Sequence, residues 1–319
     1  MPPSFRFQPV DGRDGLAALW NAACGEDLAI SARFVTYNLH AGAGVCQAAM
    51  LGLLDAEPAG FVVASVLLDD PVVMPPDHGW IDALAVTPEH RSQAVGSRLL
   101  TWAEGWLLGQ GCRTIHLGGG LRPFVPGVPV ELHTDGFFTQ YGYGGDGSQQ
   151  PPTVCDLGAD LALYTPPPAL REIAGQVRPA APGDRDALLA FLRREFPGRW
   201  RYEFEQFLAE GGRLSDYMAL WTDRGIDGCC ILTFADSARP LERFYPYRLP
   251  RPWGQLGSIG VSADCRGRGY GSALLDAGLR RLHNTGVNGC IIDWTDLPDF
   301  YGKFGFTPYR RYLQLTKRL

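Results

Sequence analysis

The sequence predicts an α/β protein of two tandem domains, each a mixed, mostly antiparallel sheet flanked by helices. Three observations lead there. The chain has 319 residues, about twice the ~150-residue prior for one domain. A strand-turn-helix segment near residue 90 returns near residue 265. A proline-rich stretch, Tyr164-Thr165-Pro166-Pro167-Pro168, falls between the two copies and favours extended polyproline geometry. The expected organisation is a domain over 1–165, a spacer over 166–176 and a domain over 177–319.

The repeat is the strongest of the three. Val86 to Leu100 answers Val261 to Leu275 without a gap, at a constant offset of 175 positions. Apolar runs precede both segments, Trp80 to Val86 and Leu256 to Val261, and read as strands. Helical spacing follows, at Leu99, Leu100, Trp102, Ala103 and Trp106, and at Leu274, Leu275, Ala277, Leu279 and Leu282. A second echo pairs Phe137 to Tyr143 with Phe300 to Phe306, now 163 positions apart. The first copy is therefore longer between the motifs, and the glycines and prolines of residues 118–129 predict that the excess is a loop. In the second copy, Gln176 to Pro179 reads as a strand and Asp184 to Leu192 as a helix with an acidic first turn. A helix over Tyr202 to Ala209 and strands over Tyr217 to Thr222 and Cys229 to Phe234 come next. The motif thus arrives late, in a βαβ unit after antiparallel strands.

Composition narrows the class. Apolar residues make up 45% and charged residues 20%, as in ordinary soluble proteins. A net charge of -5 argues against a general nucleic-acid or anionic-membrane surface. No run approaches the ~20 apolar residues that cross a bilayer, and Met1 to Arg6 lacks the pattern of a signal peptide. Eight cysteines form no CxxC pair and no Cys/His cluster with zinc spacing. The expectations are a cytoplasmic protein with reduced cysteines and no metal.

The turn Arg266-Gly267-Arg268-Gly269-Tyr270-Gly271 carries the chemistry. Glycines let the backbone bend tightly and aim successive N–H groups at one point. The helix that follows adds unpaired amides and the positive end of its dipole, which suit a pyrophosphate. A Walker lysine is absent, and a dinucleotide fold would place its turn at the start of the domain.

With Arg266, Gly269 and Gly271 in the spacing [Q/R]-x-x-G-x-[G/A], and Phe300-Tyr301-Gly302-Lys303-Phe304-Gly305-Phe306 close to FYxxxGF, the sequence resembles the GNAT superfamily of acyl-CoA N-acyltransferases. The likeness extends over nearly the whole chain, once per half. Its layout is similar to that of tandem members, mycothiol synthase-like or glucosaminide acetyltransferase-like. The resemblance implies acetyl-CoA as co-substrate, held by Ile259, Val261, Arg266, Gly267, Arg268, Gly269, Tyr270, Gly271 and Ser272. It also implies that Tyr301 lies beside the thioester sulfur, where a hydroxyl can protonate a departing thiolate. Core packing of the ring is the competing reading.

The first copy departs from the pattern. Arg91 and Gly96 remain, but Ala94 replaces the middle glycine and Phe138 replaces the tyrosine. Val86, Arg91, Gly96 and Ser97 form a possible second cofactor site in a half expected not to catalyse.

Direct transfer needs a proton acceptor for the amine. The strand Leu256 to Val261 has no carboxylate, so Asp293, at the end of Cys290-Ile291-Ile292, is the candidate base or amine anchor. The alternative is a satisfied residue at a strand end. Asp296 is expected to cap the next helix. Phe196 to Tyr202 either lines a pocket for a sugar or other polar amine or packs between domains. His116, His133 and His283 have no partners at metal or triad spacing.

The function expected is therefore N-acetyl transfer to a primary amine of a small molecule, an aminosugar among the candidates. The partners expected are that amine alone, with no nucleic acid and no membrane, in a monomer or homodimer. The rivals are a non-catalytic acyl-CoA-binding or sensing module and a protein or peptide N-acetyltransferase.

Overall fold

A computed structural model describes residues 4–10, 15–145, 151–168, 170, 172–173 and 175–319. Met1 to Pro3 of the chain start, and residues 169, 171 and 174 of the expected spacer, lie outside the described residues. The chain forms two compact units, one of Met1–Val154 with Arg310–Leu319 and one of Cys155–Tyr309.

The first unit holds β1 (Phe5–Pro9), α1 (Leu16–Cys24), α2 (Ala32–Asn38), β2 (Val45–Leu54), β3 (Glu57–Leu67) and β4 (His78–Val86). It continues with α3 (Val95–Gly109), β5 (Thr114–Leu117), β6 (Val128–Pro129) and α4 (Asp135–Gln140). Next comes β7 (Thr153–Asp160), whose residues from Cys155 onward belong to the second unit. That unit has β8 (Gln176–Pro179), α5 (Arg185–Glu195), α6 (Arg199–Ala209), β9 (Tyr217–Thr222), β10 (Gly225–Thr233) and β11 (Trp253–Val261). α7 (Tyr270–Asn284), β12 (Gly289–Thr295) and α8 (Pro298–Gly302) complete it. β13 (Thr307–Leu313) and β14 (Thr316–Arg318) end the chain, the latter in the first unit.

The two sheets are built alike. In the first unit the order is β1-β2-β3-β4-β5-β14, antiparallel except where β4 meets β5. In the second it is β8-β9-β10-β11-β12-β7, with β11 and β12 the parallel pair. The repeat is kept to the residue, since β4 and β11, and α3 and α7, each start 175 positions apart. Helix α7 shows why it forms where it does. Leu274, Leu275, Leu279 and Leu282 make one buried stripe that packs on the sheet beside Leu232 and Leu256. Its counterpart α3 buries Leu99, Leu100, Ala103 and Leu107 against β2, β3 and β4. Burying such a leucine contributes about 1.5–3 kcal/mol.

The interval after β5 is irregular over residues 118–127, as expected of a loop, and ends in β6, paired with β13 through Val128 and Pro129. It is buried, with Phe124 packed edge-on against Trp20 and Phe34 in the core. One expectation is corrected. Asp296 does not cap α8. The N-cap position is Leu297, no side chain caps the helix, and the Leu297 amide donates to Thr295 Oγ1 at 3.0 Å. Tyr164, at the head of the proline stretch, donates to Asp276 Oδ1 of α7 at 3.0 Å.

Candidate active site

Each unit opens its sheet at the same place. β11 and β12 pair only from Trp253–Gln255 to Gly289–Ile291, and β4 and β5 only from His78–Ile81 to Thr114–Leu117. Beyond those rungs the parallel strands are no longer paired. Bulges mark the opening. The register of β10 against β11 shifts between Cys229 and Ile231, opposite Gly260 and Gly257. That of β12 against β7 shifts between Ile292 and Thr295. Ser258 and Trp294 take left-handed φ values of 45° and 50° at these shifts. A bulge re-aims side chains, and such backbone costs of order 1–3 kcal/mol per residue, so the opening is held by the surrounding structure.

The glycine turn lies where β11 passes into α7. Gly267 and Gly269 have φ of 72° and 92°, Gly269 being the N-cap of α7. Those values are open to glycine without the steric cost that other residues meet. Arg266, Gly267 and Arg268 are exposed, and nothing lies within 4 Å of where a β-carbon on Gly267 would be. The turn therefore has room for a diphosphate over the first-turn amides of α7, which have no partners within the helix. Arg268 donates to the Asp264 carbonyl at 3.3 Å, while Ile259 and Val261 are half-buried on β11. Tyr270 buries its ring in the core, so only its main chain belongs to the turn; Gly271 and Ser272 are half-buried behind it.

Tyr301 and Asp293 flank the opening from α8 and β12. Tyr301 is 6% exposed, and its hydroxyl is pushed up to about 12 by burial, against a lowering hydrogen bond with Thr295 and further raising by Asp293. It stays protonated at neutral pH. An ordinary thiol ionises near 8.5, so a phenol this weakly acidic stabilises a thiolate by donating a hydrogen bond rather than surrendering its proton. Asp293 is half-buried, and its Oδ1 accepts from Gln255 Nε2 at 2.6 Å.

The segment around α6 stands beside this opening. Trp200 lies 2.7 Å from where a β-carbon on Gly260 would be, and Phe196 closer still. The Arg199 guanidinium sits 4.3 Å from the Trp294 ring centre and binds Glu203 at 2.6 Å. Burial pushes the Glu203 carboxyl up, but Arg199 and Arg243 outweigh it and hold the group below the usual range. Aromatic faces and a fixed cation thus stand at Gly260 of β11 and at Trp294, next in sequence to Asp293.

The first unit has a cavity of about 630 Å³ at the matching place. Val86, Arg91, Gly96 and Ser97, the possible second cofactor site, all line it, together with Asp82 and Phe138. Ser92 and Ala94, where the other copy has Gly267 and Gly269, adopt the same left-handed bend with φ of 60° and 61°. The turn therefore keeps its shape without glycine. Arg91 is engaged locally, donating to the Ala23 carbonyl at 2.8 Å. Asp82 escaped the sequence reading. It is fully buried at a bulge of β4, and its Oδ2 accepts from Ser65 Oγ at 2.5 Å. The usable signal was the offset, which places Asp82 opposite Gly257 of the second copy.

Tandem sheets that splay beside a strand-turn-helix anion site define an acyltransferase architecture, and the comparisons agree. Residues 16–121 match the Acetyltransferase (GNAT) family and residues 214–308 the Acetyltransferase (GNAT) domain. These matches span more than half of the chain, which belongs to the GNAT family and is an acyltransferase. No curated protein matches it. Among solved structures, it is similar to the GCN5-related glucosamine N-acetyltransferase region of a fungal multi-domain GH3 beta-N-acetylglucosaminidase. That likeness has 25% identity and a TM-score of 0.86, covering 99% of this chain and 38% of the fungal one. A tandem GNAT protein from the clavulanic acid biosynthesis pathway shares 13% identity at a TM-score of 0.69, covering 99% of this chain and 98% of its own. A GCN5-related N-acetyltransferase from Sphaerobacter thermophilus shares 19% at 0.68, covering 98% and 95%. The last two speak for the fold alone. Among the described residues, no helix is long and apolar enough to cross a membrane.

Proposed function

We propose that the second unit transfers an acetyl group from acetyl-CoA directly to a primary amine of a small molecule, with an aminosugar as the leading class. The observation that carries this is the convergence of three features on one opening. They are an exposed glycine turn with free space above it, a carboxylate at the splay, and a buried tyrosine that remains protonated. The wall of Arg199, Trp200 and Trp294 suits a polar, cyclic amine. The fungal neighbour's glucosamine N-acetyltransferase region supports the aminosugar class.

In this reading the main-chain amides from Gly267 to Ser272 grip the diphosphate, and Ile259 and Val261 lie along the pantetheine arm. Asp293 takes the proton that the ammonium group must lose. The amine nitrogen bonds to the acetyl carbon and releases its second proton to water, the carbon–sulfur bond breaks, and the electron pair leaves on sulfur. Tyr301 donates a hydrogen bond to that thiolate, which then takes its proton from water. No metal enters this scheme.

One observation favours a second reading. The first unit's cavity has the volume, the bent turn and a buried carboxylate, Asp82, so acyl-CoA binding there is the alternative. Free-thiol release from acetyl-CoA, measured across a panel of amines that includes glucosamine, tests the proposal. Turnover is expected with at least one aminosugar. Binding of acetyl-CoA without thiol release across the panel would instead support a non-catalytic binding module.

A further inference from the structure

Behind Asp293 runs a buried polar relay that ends on its carboxylate. Gln255 occupies the last paired rung of β11 and β12, opposite Ile291, and is 1% exposed. Its Oε1 accepts from Thr233 Oγ1 at 2.7 Å and from Arg239 Nη2 at 2.8 Å. Arg239 is buried too, and its Nη2 also donates to Thr233 Oγ1 at 2.7 Å. A guanidinium has only donors, so it compels the amide of Gln255 to turn its oxygen inward. The amide nitrogen must then face out, where it donates to Asp293 Oδ1 at 2.6 Å.

The backbone has been cleared for this bond. A β-carbon on Gly257 would run into Gln255 Nε2 and lie 3.1 Å from Asp293 Oδ1. Any larger residue on that strand position would push the two apart.

We infer that Gln255, oriented by Arg239, is the positioning residue that makes Asp293 a competent proton acceptor. By holding Oδ1 it leaves Oδ2 as the oxygen for the amine. The inference rests on the reading of Asp293 as base. Other polar groups lie nearby. Asp293 and Asp296 both act on Tyr301 of α8. Next door, the Trp294 amide binds Asp156 of β7 at 2.9 Å, and the Trp294 ring carries Arg199 of α6, itself paired with Glu203. All of these stay in place when Gln255 alone is changed.

Gln255→Glu isolates the effect. The variant keeps an acceptor oxygen for Arg239 and Thr233, and only the contact with Asp293 turns from attraction to repulsion. The acidic limb of the kcat–pH profile is expected to move up by about one unit or more, because a like charge disfavours ionisation. At pH 7, kcat is expected to fall roughly ten-fold with the KM for acetyl-CoA within about two-fold. Gln255→Met, neutral and of similar length, should shift the limb in the same direction by less, and it serves where the first variant does not fold. In an Asp293→Asn background, Gln255→Glu should add no further loss, as expected of coupled residues. Unchanged profiles in both Gln255 variants, with turnover abolished by Asp293→Asn, would overturn the positioning role and leave the base intact. Full turnover in Asp293→Asn would overturn both.

Discussion

The two units hold the same scaffold and distribute their polar groups differently. In the second, the carboxylate is on the later parallel strand, at Asp293, and the facing strand has Gly257. In the first, the carboxylate is on the earlier strand, at Asp82, and the facing segment has Gly120, whose β-carbon would strike Asp82 Oδ1. In each opening the backbone facing the acid is a glycine, where a β-carbon would crowd the carboxylate. Phe138 stands where Tyr301 does, so the first unit has no phenol at that position. The comparison teaches that a strand-turn-helix scaffold preserves shape far more faithfully than chemistry. Ser92 and Ala94 reproduce the bend of Gly267 and Gly269 while the reacting groups around it have changed.

Exchanging the acids should give the largest effect. Asp293→Asn is expected to lower kcat by about 10²–10⁴-fold, the usual worth of a general base. Asp82→Asn should cost less, and steady-state rates of the pair decide which unit reacts; the reverse order would transfer the chemistry to the first. Tyr301→Phe comes next, with a loss of roughly ten- to hundred-fold in kcat at nearly constant KM for acetyl-CoA, since one charge-assisted hydrogen bond contributes about 1.5–3 kcal/mol. Thiol release at saturating acetyl-CoA reads it, and an unchanged rate removes the residue from the reaction.

Acid stability separates the units next. His116 Nε2 contacts His78 Nδ1 at 2.8 Å, and its ring stacks on Trp80. Burial, with help from His78, pushes it down to about 4. The unfolded chain protonates near 6.5, so on acidification it takes up the proton first, and stability drains as pH falls from about 6.5 to 4. The loss is at most on the order of 3 kcal/mol for a group that is only partly buried. His116→Phe should flatten that dependence in urea unfolding at pH 5 and 7; equal slopes would refute it. Smallest is Ala94→Gly, expected to stabilise the first unit by about 0.5–1 kcal/mol by relieving a left-handed alanine. A Tm that falls would mean that the bend is not strained.

Much of the fold was legible because the repeat and the 3.6-residue spacing survive in residues that face the core, such as Leu274 to Leu282 and Leu99 to Leu107. The glycine turn was legible for a similar reason, since the bend needs special backbone. Three features were not. The burial of the loop around Phe124 was hidden because its prolines and glycines mask an aromatic cluster assembled from distant segments. The place of Arg310–Leu319 in the first unit is set by long-range pairing, such as Lys317 with Ile115, which leaves no local trace. Asp82 and the Gln255 relay act through side chains brought together across strands, and single polar residues in apolar runs give no sign of partners. Shape is written in patterns, whereas a relay is written in contacts.

Amide hydrogen exchange with and without acetyl-CoA tests the division of labour most directly. Slowed exchange is expected at residues 267–272, where the first-turn amides of α7 would close on the diphosphate. Protection confined to residues 92–97, with 267–272 unaffected, would contradict it and place the acyl donor in the first unit.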